Sequence, residues 1–354
     1  MRQALTYDDI QLVPKFSNVI SRKAISLTTN VTRRFKLHIP IIAAPMDTVC
    51  EYEMALALMK LGGIGCIHRF MSIEEQVGIV KRLKANTNDN AALVAKWGQL
   101  YEDYHAPNRF IPIMAAVGAT GDYVERVNEL IVAGVNIILI DVAHGHHENV
   151  RLAIDNIKAM SSYVDVIAGN IATAEAAEDL CAWGADALRV GVGGGSLCTT
   201  RIKTGFGVPN VTCLQDIIAV SKVPVIADGG IRTSGDISKA LALGADTIML
   251  GSLIAGTEEA PGSIIDKGGA LYKRYRGAAS LETKMAHGQE ARNVEGESTV
   301  IPYKGGVKYI VTDLLDGVRS ALSYGGASDL QSFKPEIVQV TNSGLNEARP
   351  HLLK

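Results

Sequence analysis

Residues 223–250 read VPVIADGGIRTSGDISKALALGADTIML, and the order of residue types in this stretch predicts a strand, a helix and a second strand. The apolar run Val223–Asp228 predicts the first strand, and Thr247–Leu250 predicts the second. Between them, Ser234–Leu243 has helical periodicity, and Gly244 stands where such a helix would end. Repeated units of this kind place parallel strands side by side in one sheet.

The same unit recurs along the whole chain. Eight short apolar runs are predicted as strands: Ile39–Ala44, Ile64–Ile67, Ile111–Val117, Asn136–Asp141, Val164–Ala168, Ala187–Val190, Val223–Asp228 and Thr247–Leu250. Helical candidates include Glu51–Leu61, Ser72–Lys84, Asp122–Ala133, Thr173–Ala182, Ser234–Leu243 and a closing helix Tyr309–Tyr324. Three helix-to-strand junctions also resemble one another: Ala133–Asn136, Trp183–Asp186 and Leu243–Asp246. Eight such units predict an α/β fold, a (β/α)8 TIM barrel, with a doubly wound open sheet as the structural alternative.

Two segments depart from the alternation. The polar residues 85–110 link the second and third units, and residues 257–308 follow the eighth strand. Loops after the strands form the active face of a barrel, so we expect 257–308 to be a mobile flap or lid. The whole chain, residues 1–354, is therefore predicted to be a single barrel domain.

The composition narrows the class of protein. The 354 residues are 47% hydrophobic with a formal net charge of −2, which favours a soluble globular protein and disfavours a nucleic-acid partner. No apolar stretch is long enough to span a membrane, and the start MRQALTYDDI lacks the apolar core of a secretion signal. Five cysteines without a CxxC pair favour a reducing compartment, so a cytoplasmic location is expected.

The loops after the seventh and eighth predicted strands are typical of phosphate binding. Asp228-Gly229-Gly230 and Gly251-Ser252 place small residues where backbone N–H groups can approach a ligand. The simpler alternative is that these glycines only form tight turns.

The loop after the sixth strand carries a candidate nucleophile. In the sequence GVGGGSLCTTR, which begins at Gly191, a cysteine and two hydroxyls follow a glycine-rich turn. A thiol at the rim of a barrel is suited to nucleophilic attack, so we single out Cys198 and interpret Cys50, Cys66, Cys181 and Cys213 as small core residues. Asp141 and Asn170 end the fourth and fifth strands and suit ligand contacts, although each alone would also cap a helix. The histidines His144, His146 and His147 lack a carboxylate set at metal-ligand spacing.

These motifs together resemble the IMP dehydrogenase and GMP reductase family from end to end. The resemblance rests on Leu5-Thr6-Tyr7-Asp8-Asp9, Met46-Asp47-Thr48, Gly62-Gly63-Ile64-Gly65, Ala168-Gly169-Asn170, Gly195-Ser196-Leu197-Cys198-Thr199-Thr200, Asp228-Gly229-Gly230 and Tyr275-Arg276-Gly277. It implies a purine nucleotide substrate, a nicotinamide cofactor, a cysteine nucleophile and a homotetramer.

The resemblance also implies a role for each matching residue. Cys198 would attack C2 of the purine. The ribose and phosphate would be held by Ser196, Asp228, Gly229, Gly230, Gly251, Ser252 and Tyr275, and the base would lie near Gly277 and Ala278. The cofactor would lie along Asp141, Asn170, Gly191 and Gly193, and backbone carbonyls of Gly193, Gly195 and Cys198 would bind a monovalent cation such as K⁺. Ala278-Ala279 departs from the family's usual Met-Gly or Met-Ser, which puts the contacts to the base in doubt.

The segment 285–296 favours one of the family's two reactions. The resemblance implies that a dehydrogenase activates water with an adjacent Arg-Tyr pair in this segment. Here Arg292 is followed by Asn, so that pair is missing. The spacing of Arg292 and Glu295-Gly296 resembles the reductase, which implies that Thr200 and Glu295 relay a proton and that Arg292 contacts nucleotide or cofactor. The expected activity is therefore NADPH-dependent reductive deamination of GMP to IMP and ammonia, through a covalent Cys198–C2 thioimidate.

Three alternatives stay open at this point. An IMP dehydrogenase is one, because the first half of the chain resembles that branch more. Arg292 and Glu295 forming only a solvated pair in a loop is another. A barrel that binds nucleotide without turnover is the third, although Cys198, Thr200 and Glu295 together argue against it.

Overall fold

The structure is a computed structural model that describes residues 1–100, 111–286 and 294–347. Its strands are β1 (Ile10–Leu12), β2 (Thr29–Asn30), β3 (Lys36–Leu37), β4 (Ile41–Ala43), β5 (Ile64–Ile67), β6 (Met114–Val117), β7 (Ile137–Asp141), β8 (Asp165–Ile171), β9 (Ala187–Val190), β10 (Val225–Asp228), β11 (Thr247–Leu250), β12 (Ile265–Lys267), β13 (Ala270–Arg276), β14 (Ser298–Pro302) and β15 (Ile337–Gln339). Its helices are α1 (Tyr52–Leu61), α2 (Ile73–Asp89), α3 (Ala91–Gly98), α4 (Tyr123–Ala133), α5 (Glu148–Met160), α6 (Ala174–Ala182), α7 (Thr200–Thr204), α8 (Asn210–Ile218), α9 (Ser234–Leu243), α10 (Leu281–Ala286), α11 (Val307–Tyr324) and α12 (Asn342–Glu347).

The eight parallel strands β4 to β11 form a closed barrel, which confirms the predicted fold and rules out the open sheet. Each strand pairs with the next in sequence, and the pairing of Ile248 in β11 with Ile41 in β4 closes the ring. The strands are buried almost throughout because helices cover their outer faces and side chains fill the inside. The predicted closing helix is α11, which packs against α9 and α1.

The three resembling junctions share one hydrogen-bond arrangement at the amino ends of the strands. Asn136, Asp186 and Asp246 each donate a backbone N–H to the carbonyl of a residue just before or at the start of the neighbouring strand, at 2.7 to 3.0 Å. The side-chain oxygen of each accepts the backbone N–H of that same residue, again at 2.7 to 3.0 Å. Each polar side chain thereby extends the ladder of the parallel sheet by one bond.

The polar segment after the second unit is helical over much of its length. The predicted helix Ser72–Lys84 continues to Asp89, and α3 follows directly, so residues 85–98 are not a simple link. Leu93 and Trp97, one helical turn apart, are buried, and Nε1 of Trp97 donates to the carbonyl of Met59 at 3.1 Å. Packing of these two side chains stabilises a short apolar helix within a segment that is otherwise polar.

The described part of the segment 257–308 contains a small antiparallel sheet, β12-β13-β14. Two lysines attach this sheet to the loop that follows β11. The ammonium of the buried Lys273 donates to three backbone carbonyls, including those of Thr257 and Glu258. That of Lys304 donates to the carbonyls of Ser252 and Leu253, at 2.6 and 3.1 Å. Mobility of the segment stays a prediction, and its residues 287–293 lie outside the described part.

Helices long and apolar enough to cross a membrane are absent from the described ranges.

Candidate functional site

A cavity of about 610 Å³ opens at the carboxyl ends of the barrel strands, between the loops and the flap sheet. Its volume lies within the range of small-molecule sites. The residues singled out from the sequence that line it are Asp141, Asn170, Gly191, Gly193, Gly195, Ser196, Cys198, Thr200, Asp228, Gly229, Gly230, Gly251, Ser252, Tyr275, Gly277, Ala278 and Glu295. Arg292 lies outside the described residues. The structure therefore brings these groups together, while their individual roles remain predictions.

A chain of hydrogen bonds begins at the candidate nucleophile. The thiol of Cys198 lies 3.1 Å from Oγ1 of Thr200, to which it donates. The Thr200 hydroxyl donates in turn to Oε2 of Glu295 at 2.7 Å. Cys198 and Thr200 stand at the start of α7, whereas Glu295 comes from the flap segment, so the chain joins barrel to flap.

Backbone bonds hold Glu295 beside the cysteine loop. The N–H of Thr199 donates to the carbonyl of Glu295 at 3.0 Å, and the N–H of Glu297 donates to the carbonyl of Leu197 at 3.0 Å. On its other side, the N–H of Glu295 donates to the carbonyl of Ala279 at 3.1 Å. The backbone of Glu295 is therefore held on both sides, and its carboxylate accepts from Thr200. The other member of the solvated pair considered above, Arg292, lies outside the described residues, so that alternative stays open.

The loops after β10 and β11 form one side of the cavity. Gly230 has φ +73°, and a side chain there would meet the amide of Asn210 at 2.8 Å, so this loop depends on glycine. The cation at its edge, Arg232, is already bound by Asp8 and Asp236, so backbone N–H groups and nearby hydroxyls are the donors that suit a phosphate here. Across the cavity, Ser196 and Tyr275 share a hydrogen bond of 3.1 Å between hydroxyls. Burial raises the pKa of Tyr275, which keeps its hydroxyl a neutral donor.

The opposite side of the cavity contains a network of two carboxylates and one guanidinium. Asp141 ends β7, Asp228 ends β10, and Arg189 of β9 pairs with both. The amide of Asn170 donates to Oδ2 of Asp228 and to the carbonyl of Gly191, both at 2.8 Å. Gly191 itself approaches Asp228 so closely that a Cβ would lie 2.1 Å from its carbonyl oxygen. Sequence reasoning missed Arg189, because it lies inside an apolar strand.

Two further lining residues were missed, Arg69 and Phe70. The guanidinium of Arg69 stacks on the ring of Phe70, 4.9 Å from its centroid, and lies 3.9 Å from Asp141. Both residues directly follow β5, at the same end of the barrel as Asp141. The rule that polar residues after barrel strands line the site would therefore have found Arg69.

The remaining cysteines differ in exposure. Cys50, Cys66 and Cys213 are buried as predicted, and burial raises the pKa of the Cys213 thiol to about 12. Cys181, at the end of α6, is only partly buried but packs against the core. Within the described ranges, His, Cys, Asp and Glu side chains form no group of three that would hold a metal ion.

The barrel and its cavity define a class of enzyme: a TIM-barrel protein with a cysteine at the rim, a carboxylate delivered by the flap and glycine loops suited to a phosphate. The sequence profile of the "IMP dehydrogenase / GMP reductase domain" matches residues 4–351. The chain belongs to this family, whose members are oxidoreductases of purine nucleotide metabolism that use nicotinamide cofactors.

Relatives with either activity match nearly the whole chain. The inosine-5′-monophosphate dehydrogenase of Cryptosporidium parvum is 39% identical, over 99% of this chain and 95% of its own length. The GMP reductase of Leishmania major is 32% identical, over 99% and 97%. A crystal structure of a Trypanosoma brucei GMP reductase variant in complex with guanosine 5′-monophosphate superimposes with a TM-score of 0.89 at 32% identity, over 99% of this chain and 98% of that one.

Proposed function

We propose that the protein is a GMP reductase, which uses NADPH to convert GMP into IMP and ammonia. The observation that carries the proposal is the chain from the Cys198 thiol through the Thr200 hydroxyl to the Glu295 carboxylate, at 3.1 and 2.7 Å. Through this chain the thiol proton can pass to Glu295, and it can return by the same path to the leaving amino group. Deamination through a carbon–sulfur bond requires both transfers.

In the first half of the reaction, Sγ of Cys198 forms a bond to C2 of the purine. Its proton passes through Thr200 to Glu295, and then returns by the same path to the 2-amino group. The C2–N bond breaks, ammonia leaves, and the purine remains bonded to sulfur as a thioimidate. Atoms balance in this half, since one thiol and one GMP give one thioimidate and one ammonia.

In the second half, Cys198 is the leaving group. The reduced nicotinamide, when bound, supplies a hydride to C2. The C2–S bond then breaks, IMP is released, and Cys198 leaves as a thiolate that takes up a proton. GMP, NADPH and one proton thus give IMP, NADP⁺ and ammonia.

The remaining lining residues would hold the two ligands. The ribose and phosphate of GMP would lie along Ser196, Asp228, Gly229, Gly230, Gly251, Ser252 and Tyr275, with the base near Gly277 and Ala278. The Asp141 carboxylate, the Asn170 amide and the backbone of Gly191 and Gly193 offer the acceptors and donors that suit a nicotinamide carboxamide and ribose. Carbonyls of Gly193, Gly195 and Cys198 are the ligand type that K⁺ prefers. We further propose a cytoplasmic homotetramer, each chain being one barrel domain without an inserted regulatory module.

A second candidate is an IMP dehydrogenase, which would oxidise IMP with NAD⁺ and hydrolyse the same thioimidate to XMP. The observation that favours it is sequence identity, which is 39% to a dehydrogenase and 32% to a reductase. Against it stands the sequence of the flap, in which Arg292 is followed by Asn293 and the hydrolytic Arg-Tyr pair is missing.

The test is to follow nicotinamide absorbance in two reactions of the purified protein, GMP with NADPH and IMP with NAD⁺. Loss of absorbance in the first, with one ammonia released per cofactor oxidised, is the expected result, and NADH in place of NADPH tests the choice of cofactor. A gain in the second reaction alone would establish the dehydrogenase instead. GMP binding without turnover in either would mean a non-catalytic barrel.

A further inference from the structure

The side chain of Arg189 lies between the two carboxylates at the mouth of the barrel. Its Nη1 donates to Oδ1 of Asp141 at 2.5 Å, and its Nε donates to Oδ2 of Asp228 at 2.9 Å. Only 10% of the arginine side chain is exposed, and the carboxylates are 14% and 18% exposed. Two edges of one planar guanidinium therefore bind two different carboxylates, an arrangement we call the arginine clamp.

The arginine clamp connects strands that do not pair with one another. In barrel order, Asp141 ends β7 and Asp228 ends β10, and β8 and β9 lie between them. Arg189 from β9 spans this distance, and Asn170 from β8 adds a bond of 2.8 Å to the same oxygen of Asp228. Four consecutive strands thus meet in one network at the floor of the cavity.

The charges make this network a single electrostatic unit. Burial by itself lowers the pKa of Arg189, but Asp228 and Asp141 raise it well above its ordinary value, so the guanidinium stays charged. Without it, both carboxylates would lose the guanidinium that now binds them. Arg69 does not replace it, because its guanidinium lies 3.9 Å from the Asp141 carboxylate, which is too long for a hydrogen bond.

We propose that Arg189 is a positioning residue that couples the binding of the nucleotide to the binding of the cofactor. The inference rests on the proposed function in one respect: Asp228 binds the nucleotide ribose and Asp141 lies on the cofactor side. The clamp already holds both carboxylates in this structure, so a ligand that binds Asp228 further restricts the motion of the guanidinium and, through it, of Asp141. The second ligand then meets a carboxylate with less motion left to lose, so each ligand strengthens the binding of the other.

The experiment measures the dissociation constant of one ligand with and without the other. For the native protein, we expect the nucleotide to strengthen cofactor binding about fivefold or more, within the usual range of couplings between sites. Pairing GMP with NADP⁺ and IMP with NADPH prevents turnover in the reductase direction. Arg189→Met should weaken both ligands at least about tenfold and reduce the coupling factor to about one.

Two variants keep the test decisive. Arg189→Lys retains the charge, but one ammonium cannot bind both carboxylates of the clamp. Compared with Arg189→Met, we therefore expect this variant to recover the affinity for one of the two ligands but not the coupling between them. Arg34→Met removes another guanidinium that binds a buried carboxylate, since Nε of Arg34 donates to Asp165 at 2.6 Å at the opposite end of the barrel. That control should lower thermal stability and leave the coupling factor unchanged.

Several outcomes would overturn the proposal. Native protein with no coupling would do so, as would Arg189→Met or Arg189→Lys with native coupling. A loss of coupling in Arg34→Met would show that lower stability of the barrel is enough to abolish the coupling between the two ligands. Failure of the proposed function is distinguishable, because a dehydrogenase would turn over IMP with NAD⁺ and the same coupling would then be measured with XMP and NAD⁺.

Discussion

At the amino ends of the barrel strands, Asn136, Asp186 and Asp246 bond to the backbone of the neighbouring strand at 2.7 to 3.0 Å. At the carboxyl ends, Asp141 and Asp228 are held by side chains, chiefly by Arg189. The same residue types thus complete the sheet at one end and line a cavity at the other. We therefore assign the strand-end residues that bond to the neighbouring backbone to stability, whereas those at the carboxyl ends line the cavity and are available to a ligand.

The largest effect expected from this comparison is at the cysteine. Cys198→Ala should reduce turnover by at least about a thousandfold, because no other group supplies the bond to C2. Nucleotide binding, measured by calorimetry, should stay within about threefold of native, since the loops that hold ribose and phosphate are unchanged. Cys181→Ala is the matched control: this half-exposed thiol lies outside the cavity, and native activity is expected. Substantial turnover by Cys198→Ala would disprove the nucleophile assignment.

A smaller effect is expected at the flap. Glu295→Gln should slow ammonia release about a hundredfold or more, because an amide cannot take up and return the thiol proton. The partial reaction of IMP with NADP⁺, which forms the thioimidate and NADPH without an amine, should slow far less. Single-turnover absorbance and ammonia assays separate the two steps.

The control for this prediction is Glu297→Gln, which changes an exposed carboxylate two residues further along the same segment. It should leave both partial reactions at native rates. Equal slowing of the two reactions in Glu295→Gln would instead indicate that the carboxylate only positions the cysteine loop.

The smallest effects are expected at the amino ends of the barrel strands. There, replacement of Asp246 and of Asp186, which make equivalent backbone bonds, should change the stability of the protein in opposite directions. Burial raises the pKa of Asp246 to about 6 in the folded protein, above its ordinary value near 4. The folded state therefore binds more protons than the unfolded state between about pH 4 and 6, so stability falls as the pH rises through this window. Asp246→Asn should stabilise the protein by about 1 kcal/mol above pH 6 and leave it unchanged near pH 4.

Asp186 is the matched comparison, because its carboxylate has the same backbone bond and also pairs with Lys158. Asp186→Asn should destabilise the protein by about 1 kcal/mol, since it leaves a half-buried ammonium without its partner. Urea unfolding of both variants at pH 4 and pH 7.5 measures the effects. Native activity in both variants is expected. A loss of activity would contradict the assignment of the amino-end residues to stability alone.

Much of the fold follows from residue pattern alone. Each of the eight apolar runs contains or overlaps a barrel strand, because strands buried on both faces are mostly apolar. Boundaries were less accurate: β8 continues through Gly169 and Asn170 to Ile171, where small and polar residues are typical of a turn. The helix α3 was also missed, because the segment around it is polar and the helix is stabilised by burial of Trp97.

The candidate site could be predicted wherever residues end a strand or follow one. Asp141 and Asp228 end β7 and β10. Asn170 is the last residue but one of β8, and Cys198 lies in the loop after β9. All four line the cavity. Arg189 could not be found in this way, because it lies within β9 and is surrounded in sequence by residues of the barrel core. Its charge is accommodated only by carboxylates from β7 and β10, and single-sequence reasoning does not reveal that these strand ends meet.

The carboxylate beside the nucleophile is 95 residues away from Thr200 in the chain and belongs to a different part of the molecule. Under the proposed function, the barrel provides the cysteine, and the flap segment provides the group that acts next on the intermediate. We therefore expect that exchange of the stretch from Gly277 to Glu297 with that of a relative would change the reaction without altering a strand of the barrel. For enzyme engineering, the barrel would stay constant while this stretch is varied.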